Sequence, residues 1–202
     1  MKVDQLVALS DLLAQSENIK RAIKLPHGAD ESDSHHAFSL ALMAYSICMT
    51  HDLELDREKI LIFALVHDLL EIVTGDEATL MMSSEQLAEK HQREKDAYHE
   101  LQRLLKDYPA LLEALDQYEL LDTPEAATVF VLDKTCTIWT HFHDNGENLY
   151  MAGVKHKGHI DRWYETQKHK MATRLRAQPP QIIYDIFEES FVEMREKLVR
   201  EG

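Results

Sequence analysis

The run Leu61-Ile62-Phe63-Ala64-Leu65-Val66-His67-Asp68-Leu69-Leu70-Glu71-Ile72-Val73-Thr74-Gly75-Asp76 constrains this chain more than any other stretch. Written as a helix it is apolar on nearly every side, which predicts burial. Yet it carries His67, Asp68 and Glu71. An adjacent imidazole and carboxylate are costly to remove from water unless something satisfies both, and a metal ion does so most simply. Asp56 offers an N-cap at one end and Gly75 a stop at the other, so the helix is expected over 57–73. Glu71 lies four residues from His67 and three from Asp68, on the same side as both. Asp76 follows just past the helix end, and 77–82 reads as a loop.

Around that stretch the chain is helical in pattern. Five prolines and six glycines leave long uninterrupted segments, and period-3.6 spacing dominates over alternation, so the fold class is all-α. At 202 residues one domain is expected, spanning 1–202. A first amphipathic helix covers Val3–Ser16. A second, largely apolar helix is expected over about 35–50, with Asp33 or Ser34 as its cap. A long charged helix follows the Ser83-Ser84-Glu85-Gln86 capping box to about 106, and Pro109 opens a shorter one. Thr123-Pro124-Glu125 is a strong helix start, leading into a segment apolar enough to be central but broken by Asp133. After a loop over 146–158, two helices over about 160–177 and 180–200 complete the chain.

Composition excludes several function classes. No apolar run reaches the ~20 residues of a membrane span, and the N-terminus lacks the basic and apolar regions of a signal peptide. Cys48 and Cys136 both sit in apolar helical contexts, as buried small residues rather than a disulfide. A cytoplasmic protein is expected. The formal charge of −14 disfavours a nucleic-acid polymer as partner on long-range electrostatics. A small phosphate ester stays compatible if a metal and local cations overcome that field. Lys20, Arg21 and Lys24 place three cations within five positions of an acidic chain, as a solvated segment or as an anion-binding arm.

Four polar residues intrude into apolar helices: His36, His67, Asp68 and Asp133. Two imidazoles and two carboxylates make a borderline-hard ligand set suited to a divalent ion such as Mn, Fe, Co, Ni or Zn, with positions left for water and substrate. Such an ion lowers the pKa of bound water and polarises a phosphoryl oxygen, which points to metal-assisted phosphoester hydrolysis. Glu71 is then placed to handle the proton of the attacking water.

These residues resemble the H…HD…D signature of the HD-domain phosphohydrolase superfamily. Glu31-Ser32-Asp33-Ser34-His35-His36 and Val66-His67-Asp68-Leu69-Leu70-Glu71-Ile72-Val73-Thr74-Gly75-Asp76 look most like its bacterial 5′-deoxynucleotidase branch and eukaryotic relatives, over about residues 18–145. The resemblance implies an α-helical HD fold, usually a homodimer, and one divalent metal ion, with Mg among the candidates. It assigns metal ligands to His36, His67, Asp68 and Asp133, and the acid/base glutamate to Glu71. Asp76 would take part in catalysis and contact substrate, with Thr79 and Arg21 as further substrate contacts. Guanidinium at Arg21 suits bidentate phosphate binding. Two positions depart from the family pattern: Ala22 stands where relatives usually have tryptophan, and His35 where many have an acid. The expected activity is removal of phosphate from (deoxy)ribonucleoside 5′-monophosphates. The alternatives are hydrolysis of a nucleoside triphosphate or signalling nucleotide, or a silent nucleotide-binding HD domain.

Overall fold

The computed structural model describes residues 2–25, 28–76 and 84–199. Among them run α1 (Val3–Ser16), β1 (Lys20–Lys24), β2 (Asp30–Ser32), α2 (Asp33–Thr50), α3 (Arg57–Val66) and α4 (Glu71–Thr74). There follow α5 (Ser84–Leu104), α6 (Pro109–Leu120), α7 (Pro124–His143), α8 (Glu147–Met151), α9 (Lys157–Arg174) and α10 (Gln181–Lys197). The all-α expectation holds, and the one strand pair is short.

Local chemistry sets most of these boundaries. The Asp56 carboxylate accepts from the Glu58 and Lys59 backbone N–H groups at 3.0 and 3.2 Å, capping α3 as expected. Thr123 caps α7 by accepting from Ala126 N–H at 3.2 Å, with Pro124 in the first turn. For α2 the cap is Ser32, whose hydroxyl accepts from His35 N–H at 3.3 Å, rather than Asp33 or Ser34. Asp33 instead takes up the first turn, where its charge suits the helix dipole. The expected loop at 146–158 contains the short helix α8. The capping box at Ser83 lies outside the described residues.

The segment 18–34, which as sequence reads as a basic stretch leading into a turn and then a polar loop over 29–34, forms a short ribbon instead. Here β1 and β2 pair antiparallel, Lys20 opposite Ser32 and Lys24 opposite Asp30, with an irregularity between. Gly28, at φ +83°, supplies the left-handed turn residue between them. The ribbon is held partly by charge, with Lys24 paired to Asp30.

Two apolar clusters meet along α3. The larger joins Leu40 and Ala44 of α2, Ile60 and Phe63 of α3, Val129, Leu132 and Ile138 of α7, and Phe187 and Phe191 of α10. The smaller joins Leu12 of α1, Val66 and Leu69 with Leu101, Leu105 and Leu115. Every residue of α7 from Ala126 to Asp133 is buried, whereas Leu65 on α3 is 48% exposed. The fully enclosed helix is therefore α7, and the His67-Asp68 segment packs on it with one open edge.

The central run is also not one helix. It leaves α-geometry after Val66 and resumes at Glu71. Through the gap the backbone tightens into three-residue bonds, Leu69 N–H to Val66 O at 3.0 Å and Glu71 N–H to Asp68 O at 2.9 Å. Such 3₁₀-like turns change the angle between successive side chains. That change lets His67 and the next residue, Asp68, turn toward the same point. Gly75, at φ +73°, ends α4 as its position predicted.

One buried group of α7 gives the fold a pH dependence. His141 is 9% exposed, and its Nδ1 has no hydrogen-bond partner among the described residues. Burial pushes its pKa down to about 4, against the opposing pull of Asp144. The folded pKa thus lies below the unfolded value of about 6.5. The stability His141 permits is full above about pH 6.5 and is lost as pH falls toward 4. The loss amounts to about 2 kcal/mol between pH 7.5 and 5. His141→Phe is expected to flatten this acid limb in urea melts at the two pH values. An unchanged difference between the two midpoints would assign the limb to other groups.

Candidate metal centre and phosphate arm

Three parts of the chain deliver these polar groups. His36 comes from the first turns of α2, His67 and Asp68 from the tightened turn after α3, and Asp133 from the middle of α7. His36, His67 and Asp133 are buried, at 1%, 6% and 6% exposure. Each offers a ligand atom within 4.8 Å of the others. His36 Nε2 lies 2.9 Å from Asp133 Oδ1, and His67 Nε2 lies 3.8 Å from the same oxygen. The other Asp133 oxygen is taken by Lys134, which leaves Oδ1 facing the imidazoles. Of the two adjacent histidines, His35 is exposed and His36 faces Asp133 in the centre.

Asp68 stands beside this trio rather than within it, its Oδ2 lying 3.0 Å from His67 Nε2. The fit to a cation rests on that nitrogen. His67 Nδ1 donates to the Ala64 carbonyl at 2.9 Å, an outer hydrogen bond of the kind that orients metal-ligating histidines. Nε2 is left buried, without a well-formed hydrogen bond, facing oxygens of Asp68 and Asp133. A lone pair facing two carboxylates is repulsive unless a proton or a cation sits between. Without a cation the proton is favoured: burial opposes the charge, but Asp68 and Asp133 push the His67 pKa up to about 10. Two imidazole nitrogens and two carboxylates are a good set for a divalent ion.

The arm comes from β1. Arg21 is nearly enclosed, with Nη1 3.0 Å from Asp68 Oδ2 and 3.7 Å from Asp33 Oδ1, and Nε 3.5 Å from Glu31 Oε2. Burial works against its charge, but Asp68, Asp133, Asp76 and Glu71 more than offset that and raise its pKa. Asp68 shows the converse: burial would raise its pKa, and His67 with Arg21 hold it well below the usual carboxylate range.

Glu71 forms a second carboxylate group with Asp68 and Asp33, their oxygens within 4.8 Å of one another. Burial, then Asp68, Asp76 and Asp33, push its pKa up to about 10. Asp76 is thus close enough to act on both Arg21 and Glu71. Thr79 lies outside the described residues. Glu31 and Asp33 are 1% and 3% exposed, and reading the chain as sequence placed both in a polar loop. The signal for them was the basic stretch 20–24 facing the acidic stretch 30–33 across Gly28, an opposite-charge pattern that fits a ribbon.

Helices enclosing a His-His-Asp cluster beside an Asp-Arg pair make a candidate centre for a divalent metal ion. The HD domain family model matches residues 13–175, and the chain belongs to that family. It is 34% identical over 139 residues to the 5′-deoxynucleotidase HDDC2 of Danio rerio, covering 65% of each chain. The counterpart in Homo sapiens is 34% identical over 106 residues, 52% of this chain and 50% of that one. The chain thus spans between half and two thirds of the length of these curated relatives. Among solved structures, a protein described as a predicted metal-dependent phosphohydrolase of Magnetospirillum magnetotacticum superposes with TM-score 0.66 at 22% identity, covering 97% of this chain and 99% of that one. A conserved hypothetical protein of Pyrococcus furiosus gives 0.56 at 20% identity, covering 96% and 99%. At such identities these two support the helical fold alone.

Proposed function

We propose that this chain is a metal-dependent phosphohydrolase that removes phosphate from (deoxy)ribonucleoside 5′-monophosphates. The observation that carries the reading is the placement of the Arg21 guanidinium 3.0 Å from Asp68, at the border of a buried two-histidine, two-carboxylate centre. Similarity to the 5′-deoxynucleotidases supports the substrate class. His36, His67, Asp68 and Asp133 would hold one divalent ion, Mn, Co, Fe, Ni, Zn or Mg. When bound, that ion supplies Lewis-acid polarisation of the phosphoryl oxygen and a more acidic water.

The remaining work falls to side chains. Arg21 binds the phosphate, exchanging its bonds to Asp68 for phosphate oxygens of matching geometry. Glu71 accepts the proton of the attacking water, and positive charge beside Asp68 brings its pKa down from the value its acidic neighbours impose. Asp76 contacts the sugar side, its charge keeping Glu71 basic, and Thr79 adds a second substrate contact. The test is phosphate release from nucleoside mono-, di- and triphosphates with Mn or Co. Release from monophosphates alone, abolished by chelator and restored by metal, is expected. No release from any of them by folded, metal-loaded protein refutes the proposal.

The working unit in this reading is a cytoplasmic homodimer with no nucleic-acid polymer as partner; no helix among the described residues is long and apolar enough to cross a membrane. Phe38, Leu42, Tyr45 and Met49 of α2 are 59%, 50%, 36% and 44% exposed. Their spacing of four, three and four residues puts them on one helix face, an apolar stripe suited to a second copy. Light scattering is expected to give a dimer mass, and Leu42→Asp a monomer. A monomeric native protein would refute this assembly.

A further inference from the structure

We infer that Glu31 is a positioning residue that ties the phosphate arm to the metal centre, one carboxylate oxygen facing Arg21 and the other the His36 ring; this rests on the phosphohydrolase reading above. The side chain leaves β2 inward and is 1% exposed. Its Oε2 lies 3.5 Å from Arg21 Nε, and its Oε1 lies 3.9 Å from His36 Nδ1. Local structure aims it there. The register that sets Lys20 opposite Ser32 brings Arg21 beside Glu31 across the ribbon. Ser32 then caps α2 by accepting from His35 N–H, so the chain turns directly from Glu31 into the helical turn that carries His36.

Toward Arg21, two unmet needs face each other. Neither Arg21 Nε nor Glu31 Oε2 has a hydrogen-bond partner among the described residues, a costly state for enclosed polar groups. They carry opposite charge, and a shift of about 0.5 Å closes the gap to an ordinary N–H···O bond. Nε is the inner corner of the guanidinium fork, while Nη1 reaches Asp68 at 3.0 Å. Held at Nε, the fork can release Asp68 and turn its outer nitrogens to phosphate without losing its place. An arginine pinned at one corner loses less rotamer freedom when it takes its anion.

Toward His36, the need arises when the ring ligates. Its Nε2 lies 2.9 Å from Asp133 Oδ1. To offer that nitrogen's lone pair to a cation, the neutral ring carries its proton on Nδ1. Metal-ligating histidines almost always donate the second N–H to a carboxylate, a carbonyl or water. His67 meets this requirement within its own segment, through the Ala64 carbonyl. His36 sits in the first turn of α2, and the charged group facing its Nδ1 is Glu31. One enclosed carboxylate therefore serves the clamp and the ligand together.

Binding is measured apart from turnover, by calorimetry with manganese on metal-free protein and with inorganic phosphate on manganese-saturated protein. Glu31→Ala is expected to weaken manganese binding by about 10–100-fold, and to the same extent in an Arg21→Ala background. It is expected to weaken phosphate binding by about fivefold or more. In the Arg21→Ala background that second loss should vanish, because Glu31 acts on phosphate only through the guanidinium. A ribbon merely weakened by the substitution would instead lower phosphate affinity in both backgrounds. Glu31→Gln keeps the volume and leaves one acceptor for two donors. It is expected to show the same pair of effects at about threefold or more each, and it carries the test should the alanine variant fail to fold. Native manganese affinity in the folded Glu31 variants, or a phosphate loss that persists in full beside Arg21→Ala, overturns the inference. Such a result alongside phosphate release from a nucleotide leaves the phosphohydrolase reading standing; coupled binding without release from any nucleotide overturns that reading alone.

Discussion

Replacing Asp133 by alanine is expected to leave the protein without bound divalent metal and with its phosphate-release rate down by at least ~10³-fold. Asp133 is the carboxylate to which the others converge, 2.9 Å from His36 Nε2 and 3.8 Å from His67 Nε2, with Lys134 on its second oxygen. Removing an outer partner of a metal ligand typically costs about 10–100-fold, and loss of a ligand itself costs more. The alanine variant would also leave Lys134 and the two imidazoles around an empty volume in a helix buried on all sides. Breaking such a buried pair destabilises by about 3–5 kcal/mol. Asp133→Asn keeps the volume and separates the two effects: it should fold more stably than the alanine variant yet still lose metal. Metal analysis of purified protein and a phosphate-release assay check this together. Stoichiometric manganese and a near-native rate in folded Asp133→Ala would show that the ion is held elsewhere.

The four polar intrusions were legible in the sequence because the physics that places them is local. His36, His67, Asp68 and Asp133 each sit among apolar neighbours, so each declares a buried polar group before any tertiary contact is known. Their convergence was legible only as a sum of unmet needs, and the structure meets it with Oδ1 of Asp133.

What the sequence did not show was hidden for separate physical reasons. The ribbon β1–β2 is held by pairing across a turn, and a strand of three residues carries too little alternation to show itself. Glu31 and Asp33 therefore read as loop acids, although each is among the most enclosed charges in the protein. The break after Val66 was hidden for another reason. Leu69, Leu70 and Glu71 are all good helix formers, so propensity writes one continuous helix where the backbone tightens between Val66 and Glu71.

Glu71→Gln is expected to lower kcat by about 10²–10⁴-fold while metal content and KM stay near native, the pattern of a lost proton acceptor. The substitution keeps shape and removes charge. Its second expected effect runs the other way. Burial and the carboxylates of Asp68, Asp76 and Asp33 push the Glu71 pKa up to about 10, above the unfolded value of about 4.3. A carboxyl whose folded pKa is raised favours folding less as pH climbs past the unfolded value, because the unfolded chain ionises first. At pH 7.5 the metal-free native protein bears that cost, and glutamine, which has no proton to lose, does not. Metal-free Glu71→Gln should therefore melt at a higher temperature than the native protein at pH 7.5, and the gap should close toward pH 4.5. Activity and stability would thus be opposed at one residue, as is common where a site gathers like charges for chemistry. A variant with kcat within tenfold of native would remove Glu71 from proton transfer. Equal melting at both pH values would show that its carboxyl is not strained by its neighbours.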